Sequence, residues 1–322
     1  MSDHLVHGPQ GGGRLHKLRQ WFDAGEPDPD TPRATDGADG VDWGRIVPFA
    51  LMHLVCLFAF YVGVSATAIA VCVALYLVRM FAITGFYHRY FSHRSFKTSR
   101  AAQFAFAVLG ASAAQRGPIW WAAHHRHHHA FSDKPQDTHS PMQDGFVWAH
   151  MGWFLSKRHF QPDLRRARDL LQYPELRWLD RFDILVPFAL ALVLLLSGMA
   201  LERFAPSLGT TGGQLLVWGF FVSTVLCYHG TYTINSLCHG WGSRRYPTKD
   251  DSRNNAFLAL ITLGEGWHNN HHHYPSAVRQ GFYWWELDLT YYLLRGLAAI
   301  GVIWDLNAVP ARIRDVREAK PA

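Results

Sequence analysis

Thiols are scarce in this chain. Its 322 residues include four cysteines, no two of them spaced C-x-x-C, so neither a thiolate zinc site nor a disulfide framework is supported. Cys56, Cys72 and Cys227 fall inside apolar runs and Cys238 lies just past one, as expected of buried thiols. The H-E-x-x-H pattern of zinc hydrolases is missing, and so is a glycine-rich dinucleotide fingerprint. The basic residues form no stripe. A net charge of +6 and a pI of about 9.2 therefore point to anionic lipid or an acidic substrate, and no nucleic-acid partner is expected. The first apolar run begins only near Ile46, which is late for a secretory signal peptide.

Apolar residues make up 49% of the chain, yet the mean hydropathy is only -0.06, so the spacing predicts several membrane spans beside a large polar part. Aromatics reach 14%, with 13 tryptophans, in keeping with rings gathered at a membrane interface. Four segments approach the roughly 20 residues a bilayer requires: 46–63, 66–86, 182–200 and 213–234. His53 and Arg79 fall within the first two, where such groups face the protein interior or snorkel. The shorter runs 101–115 and 289–304 read as helices buried in protein or lying at the interface. Residues 1–42, rich in Gly, Pro and Asp, read as a disordered tail. Residues 43–310 form one all-α membrane domain with a helical cap from 87–181 and 235–310, and 311–322 form a short tail.

Histidine is where the sequence concentrates. "HHRHHH" at 124–129 places five in six positions, "HRYFSH" spans 88–93 and "HNNHHH" spans 268–273. The loop between the first two spans is uncharged whereas 87–181 and both tails are basic, so the cap and tails are expected in the cytoplasm. Counting crossings puts all three histidine groups on that one face. The second and third groups fit H-x-x-H-H, and positions i, i+3 and i+4 share a helix face. His88 and His93 are five apart, about 140° around an α-helix, so they embrace a site from two sides or the helix unwinds between them. Eight such ligands exceed one tetrahedral zinc and suit two metals. Only Glu265–His268 has the Glu-x-x-His spacing, which disfavours a carboxylate-bridged bundle site. Two redox-active irons in nitrogen coordination are the favoured reading.

"HRYFSHRSFK", "HHRHHHAFSD", "NSLCHGWG" and "GEGWHNNHHHYP" resemble the ordered signature of the membrane fatty acyl desaturases, in the stearoyl-CoA (delta-9) branch without a cytochrome b5 domain. The likeness runs from about residue 45 to 310. It implies two irons (Fe2+/Fe3+) held by His88, His93, His125, His128, His129, His239, His268, His271 and His272, with Asn235 acting through a water. "HHRHHH" fits H-x-x-H-H in two registers. "AFSD" follows His129, which selects 125/128/129 and leaves His124, His127 and His273 as extras. The implied reaction is O2-dependent insertion of a cis double bond, at delta-9, into a long saturated acyl chain, with acyl-CoA favoured over acyl-lipid as carrier. Trp121 and Thr231 are expected to bend an apolar tunnel near the metals, Tyr76 to limit its depth, and Lys157 and Arg158 to meet the carrier's phosphates. A separate donor of the ferredoxin, rubredoxin or cytochrome b5 type, with its reductase, would bring the electrons. The expected location is a bacterial cytoplasmic membrane with both termini and the active site cytoplasmic. An acyl or alkyl hydroxylase of the same superfamily would share every ligand. A histidine-rich metal transporter would instead carry its ligands inside the spans.

Overall fold

Asp42 starts the first membrane helix by accepting a hydrogen bond from the Gly44 amide, and Gly63, at φ 70°, ends it. That helix, α1 (Trp43–Val62), buries none of its apolar window, as expected of a helix surrounded by lipid. Ser65 caps α2 (Ala66–Ser92) through the Ala68 amide. After it come α3 (Arg100–Ala111), α4 (Pro118–Phe131) and α5 (Pro174–Arg181). The chain then crosses again through α6 (Leu185–Phe204) and α7 (Gly212–Ser236). It finishes in the cap with α8 (Ala256–Ile261), α9 (His268–His273) and α10 (Leu289–Ala299). The computed structural model describes residues 21–25 and 40–316.

The protein is thus all-α, with four helices long and apolar enough to span a membrane and a helical cap. The second span is longer than the sequence suggests. It was expected to end at Phe86, but the helix continues to Ser92 because its polar end enters the cap, where Arg89 is paired with Glu265 and Asp288. Span α7 is the most enclosed, with 56% of its window buried. It approaches α2 at Gly230, where a Cβ would stand 2.7 Å from Met80 Cε and would push that side chain aside. Arg79 does not snorkel. Its guanidinium is fully buried and donates to Thr224 Oγ1 at 2.6 Å, to Ser223 Oγ and to Leu75 O.

Two other expectations are revised. The run 289–304 is not one helix: α10 stops at Ala299, Gly301 turns at φ 74°, and Ile303–Trp304 (β2) pairs antiparallel with Lys97–Thr98 (β1). Part of the N-terminal tail is anchored, since Trp21 Nε1 donates to Gly44 O at 2.8 Å and Asp23 pairs with Arg181 at 2.8 Å. Residues 1–20, 26–39 and 317–322 lie outside the described residues.

Candidate metal centre

The angular problem posed by His88 and His93 is solved by winding. From Ala82 to Ser92 helix α2 turns with i→i+5 bonds, a π-helical form often found at functional sites. The His93 amide donates to His88 O at 3.2 Å, and the two rings lie 4.9 Å apart on one side. Helix α4 begins at Pro118, and its first free amides, Ile119 and Trp120, each donate to a carboxylate oxygen of Asp180 at 2.9 Å. Gly117 is required there, because a Cβ would lie 1.9 Å from Asp180 Oδ1. This cap sets where the histidines of α4 fall.

Nine imidazoles converge in two groups. His88, His93, His125, His129 and His271 form one, and His128, His239, His268 and His272 the other, each group's ligand atoms lying within 4.8 Å of one another. His271 Nε2 lies 3.0 Å from His88 Nε2 and 2.9 Å from His129 Nε2. His93 and His125 meet through their Nε2 atoms at 2.7 Å, and His239 and His268 at 3.1 Å. The three extras point elsewhere. His124 packs on Trp120 and Trp153, His127 Nε2 lies 2.8 Å from Gln136 O, and His273 stacks on Tyr246 with its Nε2 near Ile313 O.

Behind the imidazoles stands a ring of carboxylates that sequence reasoning did not assign. His128 Nδ1 lies 3.0 Å from Asp137, His239 Nδ1 2.7 Å from Asp133 and His272 Nδ1 2.8 Å from Asp250, while His88 Nδ1 pairs with Glu265. A neutral imidazole has one N–H, so each Nε2 in these four is left as a bare lone pair turned inward. His272 Nε2 is buried with no hydrogen-bond partner among the described residues. Lone pairs facing each other near 3 Å repel unless a cation lies between them, and two nitrogens bound at right angles to one ion at about 2.1 Å are about 3 Å apart. The donor set therefore fits a pair of transition-metal ions. A third triple, His128, Asp137 and His139, is no separate site: His128 already serves the second group, and His139 stacks on its ring at 4.3 Å.

For six of the nine rings electrostatics agree with a neutral imidazole. Burial, and then the neighbouring rings, push His93, His125, His129, His268 and His271 well below the usual imidazole value. Burial takes His272 down to about 4 despite Asp250. For His128 burial is outweighed by Asp137, and the ring is raised. Burial also opposes ionisation of Asp133, but the hydrogen bond and charge of His239 win and hold it at about 2. Against burial, His128, His272, and His88 with Arg89 likewise hold Asp137, Asp250 and Glu265 down.

These directions set a sign. Where an imidazole is depressed in the fold, the unfolded chain binds protons better once pH falls through about 6.5, and stability is lost. Depressed carboxylates keep contributing until pH falls below their ordinary range near 4. His128, being raised, works in the opposite sense but is outnumbered by the six depressed rings, so the metal-stripped protein is expected to lose unfolding midpoint steeply from pH 6.5 to 5. A midpoint unchanged over that interval would contradict neutral, buried rings.

Between the metal groups and the spans lies a cleft of about 470 Å³, its open mouth included. Trp121, Thr231 and Asn235 line it, together with Met80, Ile83 and Thr84 of α2. Trp121 stacks on His125 at 5.0 Å, and Thr231 accepts from Gln115 Nε2 at 3.0 Å. Tyr76 is not in the lining. Its hydroxyl donates to Ile261 O at 2.5 Å, and Met80, one turn further on, takes the place at the wall. Lys157 and Arg158 are exposed and lie outside the lining.

Comparison with known proteins bears on this geometry. Residues 64–304 match the sequence model of a family described as fatty acid desaturase. The chain is 37% identical over 285 residues to palmitoyl-monogalactosyldiacylglycerol delta-7 desaturase of Arabidopsis thaliana, covering 87% of this chain and 72% of that protein. It is 36% identical over 266 residues to acyl-CoA C20 Delta5-desaturase of Anemone leveillei (81% and 80%). It is 35% identical over 272 residues to sn-1 stearoyl-lipid 9-desaturase of Anabaena variabilis (84% and 95%).

Proposed function

The chain belongs to the fatty acid desaturase family, and from that premise we propose that it inserts a cis double bond, at delta-9, into a long saturated acyl chain held as acyl-CoA. The named relatives differ in carrier and bond position, so carrier and position rest on the signature residues, and acyl-lipid is the second reading. The observation that carries the proposal is nine converging imidazoles, of which His88, His125, His128 and His268 stand at the wall of a cleft that runs toward the spans.

His88, His93, His125, His129 and His271 would hold one iron, and His128, His239, His268 and His272 the other, with Asn235 reaching the second group through a water. Reduced iron with O2 supplies an oxidant strong enough to take hydrogen from unactivated methylenes, which no side-chain acid or base can do. The protein's residues supply position. Trp121 and Thr231 bend the chain past the metal groups, and the ring of carboxylates keeps His88, His128, His239 and His272 each in one tautomer. Lys157 and Arg158 meet the carrier's phosphates. A small electron-transfer protein with its reductase docks on the cap, which faces the cytoplasm with both termini.

Expression in a host lacking desaturase, followed by gas chromatography of fatty acid methyl esters, should show one new monoene with the bond at carbon nine. A hydroxy acid in its place would favour the hydroxylase reading. A reporter fused after Lys157 should report cytoplasm and one at Ser207 the opposite face. The reverse result would overturn the orientation.

Chain length is set at Met80 with Tyr76 behind it. Met80→Ala opens apolar volume at the cleft wall, and each further buried methylene contributes about 0.8 kcal/mol, or roughly fourfold preference per carbon. Products from mixed sixteen- to twenty-carbon substrates should shift longer, more so in Met80→Ala/Tyr76→Ala, with the bond at the same distance from the carboxyl end. An unchanged length profile at normal expression would remove both residues from the end wall.

A further inference from the structure

Two membrane helices that meet at one end bare different lengths to lipid. On the side away from the cap, Ser65 Oγ lies 2.8 Å from Thr210 Oγ1, so the start of α2 lies beside the turn that ends α6. From there α6 keeps large apolar residues exposed from Phe204 back to Leu185, about 28 Å at the helical rise per residue. Helix α2 is exposed only from Ala66 to Val78, about 18 Å on the same scale. Beyond Val78, residues 79–89 are buried apart from Phe81. A hydrocarbon core of about 30 Å therefore reaches past Val78, and the surface it meets around α2 belongs to other segments.

Two of those segments are α8 and α10. The Tyr76 hydroxyl donates to Ile261 O, and Thr84 Oγ1 lies 2.7 Å from Thr290 Oγ1. These contacts stand about 15 and 27 Å along α2 from Ala66, inside the thickness that α6 bares. The outward residues are apolar: Phe257 is 59% exposed, Leu260 56% and Leu293 49%. Helix α8 carries no charged residue and α10 only Arg295, so neither offers the charge pattern by which a soluble protein would dock. Helix α10 also climbs out of this layer. Its far end leads into β2, which pairs with β1, where Lys97 and Asp305 form an exposed ion pair at 3.0 Å. Near its start Arg279 and Arg295 stack on Tyr291 at 5.1 and 5.9 Å, and Trp284 and Trp285 stand exposed just before it. Guanidinium and indole groups together are the composition of a headgroup layer.

We propose that α8 and the adjoining start of α10 dock into the hydrocarbon of the leaflet on the cap side, with Arg279 and Arg295 among its headgroups. The partner is bilayer lipid, and the docked face continues the lipid-facing surface of α2 at Leu77 and Val78. The proposal rests on the four spans crossing a membrane and goes beyond the reaction assigned above. Its driving force is the removal of apolar side chains from water, which no neighbouring element of the protein provides for Phe257 and Leu260. The cap is thereby seated at a fixed depth. Thr262, next to Ile261, lines the cleft, so the cleft lies one residue behind the docked face and at the level of the surrounding acyl chains.

The test places one spin label at a time on the full-length protein in lipid nanodiscs, in a Cys56→Ser background whose other native thiols are buried. Labels go to Phe257→Cys, Leu260→Cys, Leu293→Cys and Ile300→Cys, with Val73→Cys as the lipid reference and Asp305→Cys as the aqueous one. Electron paramagnetic resonance then reads how strongly dissolved oxygen, which concentrates in hydrocarbon, and a water-soluble nickel chelate relax each label. Labels at Phe257, Leu260 and Leu293 are expected to match Val73, open to oxygen and closed to nickel, with Ile300 between the two references. Nickel access at Phe257 and Leu260 equal to that at Asp305 would overturn the docking. Closure of both positions to both reagents would overturn it too, since a second copy or another protein would then cover the face. Product formation by each labelled variant is measured separately. Lipid-facing labels in a protein that desaturates nothing overturn the desaturase reading alone, and aqueous labels in an active enzyme overturn the docking alone.

Discussion

Replacing His271 by alanine is expected to abolish desaturation, with a loss greater than the 10- to 100-fold typical of groups that merely support a ligand, and to remove one of two metals per chain. His271 Nε2 touches the Nε2 of both His88 and His129, so its removal opens the first group at its centre. The second group shares none of those atoms and should keep its ion. His124→Gln is the control, since that ring packs on Trp120 and Trp153 and belongs to neither group. Metal analysis and product assay together decide. Equal losses for His124→Gln and His271→Ala would refute the 125/128/129 register, and full activity with stoichiometric zinc would refute the redox role.

Glu265→Gln should be nearly as damaging by a different route. The Glu265 carboxylate pairs with His88 Nδ1 and Arg89, and accepts from Gln280 Nε2 at 3.2 Å, all in the interior. The amide keeps the shape but removes the charge, leaving Arg89 with Asp288 as its one remaining ionic partner and His88 with a neutral acceptor in place of a carboxylate. Removing one member of a buried ion network costs about 3–5 kcal/mol, and losing a ligand's outer partner costs about 10- to 100-fold in metal affinity. The measurements are the unfolding midpoint and the metal retained after dialysis. A variant as stable and as well loaded as the parent would show that Glu265 neither orients His88 nor balances Arg89.

Much of this was legible in one dimension, and the reasons are local. Span positions follow from apolar runs of 18 residues or more, and H-x-x-H-H aims three rings along one helix face whatever surrounds it. The winding of Ala82–Ser92 was not legible, because i→i+5 bonding has no composition of its own and depends on how the helix end is held in the cap. Asp250 and Glu265 were missed for another reason. Asp250 serves a histidine 22 positions away and Glu265 one 177 positions away, and such pairings exist only after the chain has folded. Asp133 was visible in "AFSD" but read only as a marker of register. Its role appears when His239 arrives from the far end of α7. Tyr76 and Met80 differ by one helical turn, which spacing from His88 alone does not resolve.

The ring of carboxylates also bears on the charge a pair of metal ions would meet. Neutral imidazoles add nothing to offset a metal, so two divalent ions would bring four positive charges into the interior. Asp133, Asp137, Asp250 and Glu265 return four negative ones at one imidazole's remove, while Arg89 and Asp288 cancel each other. With two divalent ions these groups would sum to zero. With two trivalent ions the pocket would carry a surplus of two, so the protein's own field would favour the lower charge state of any redox-active pair bound there.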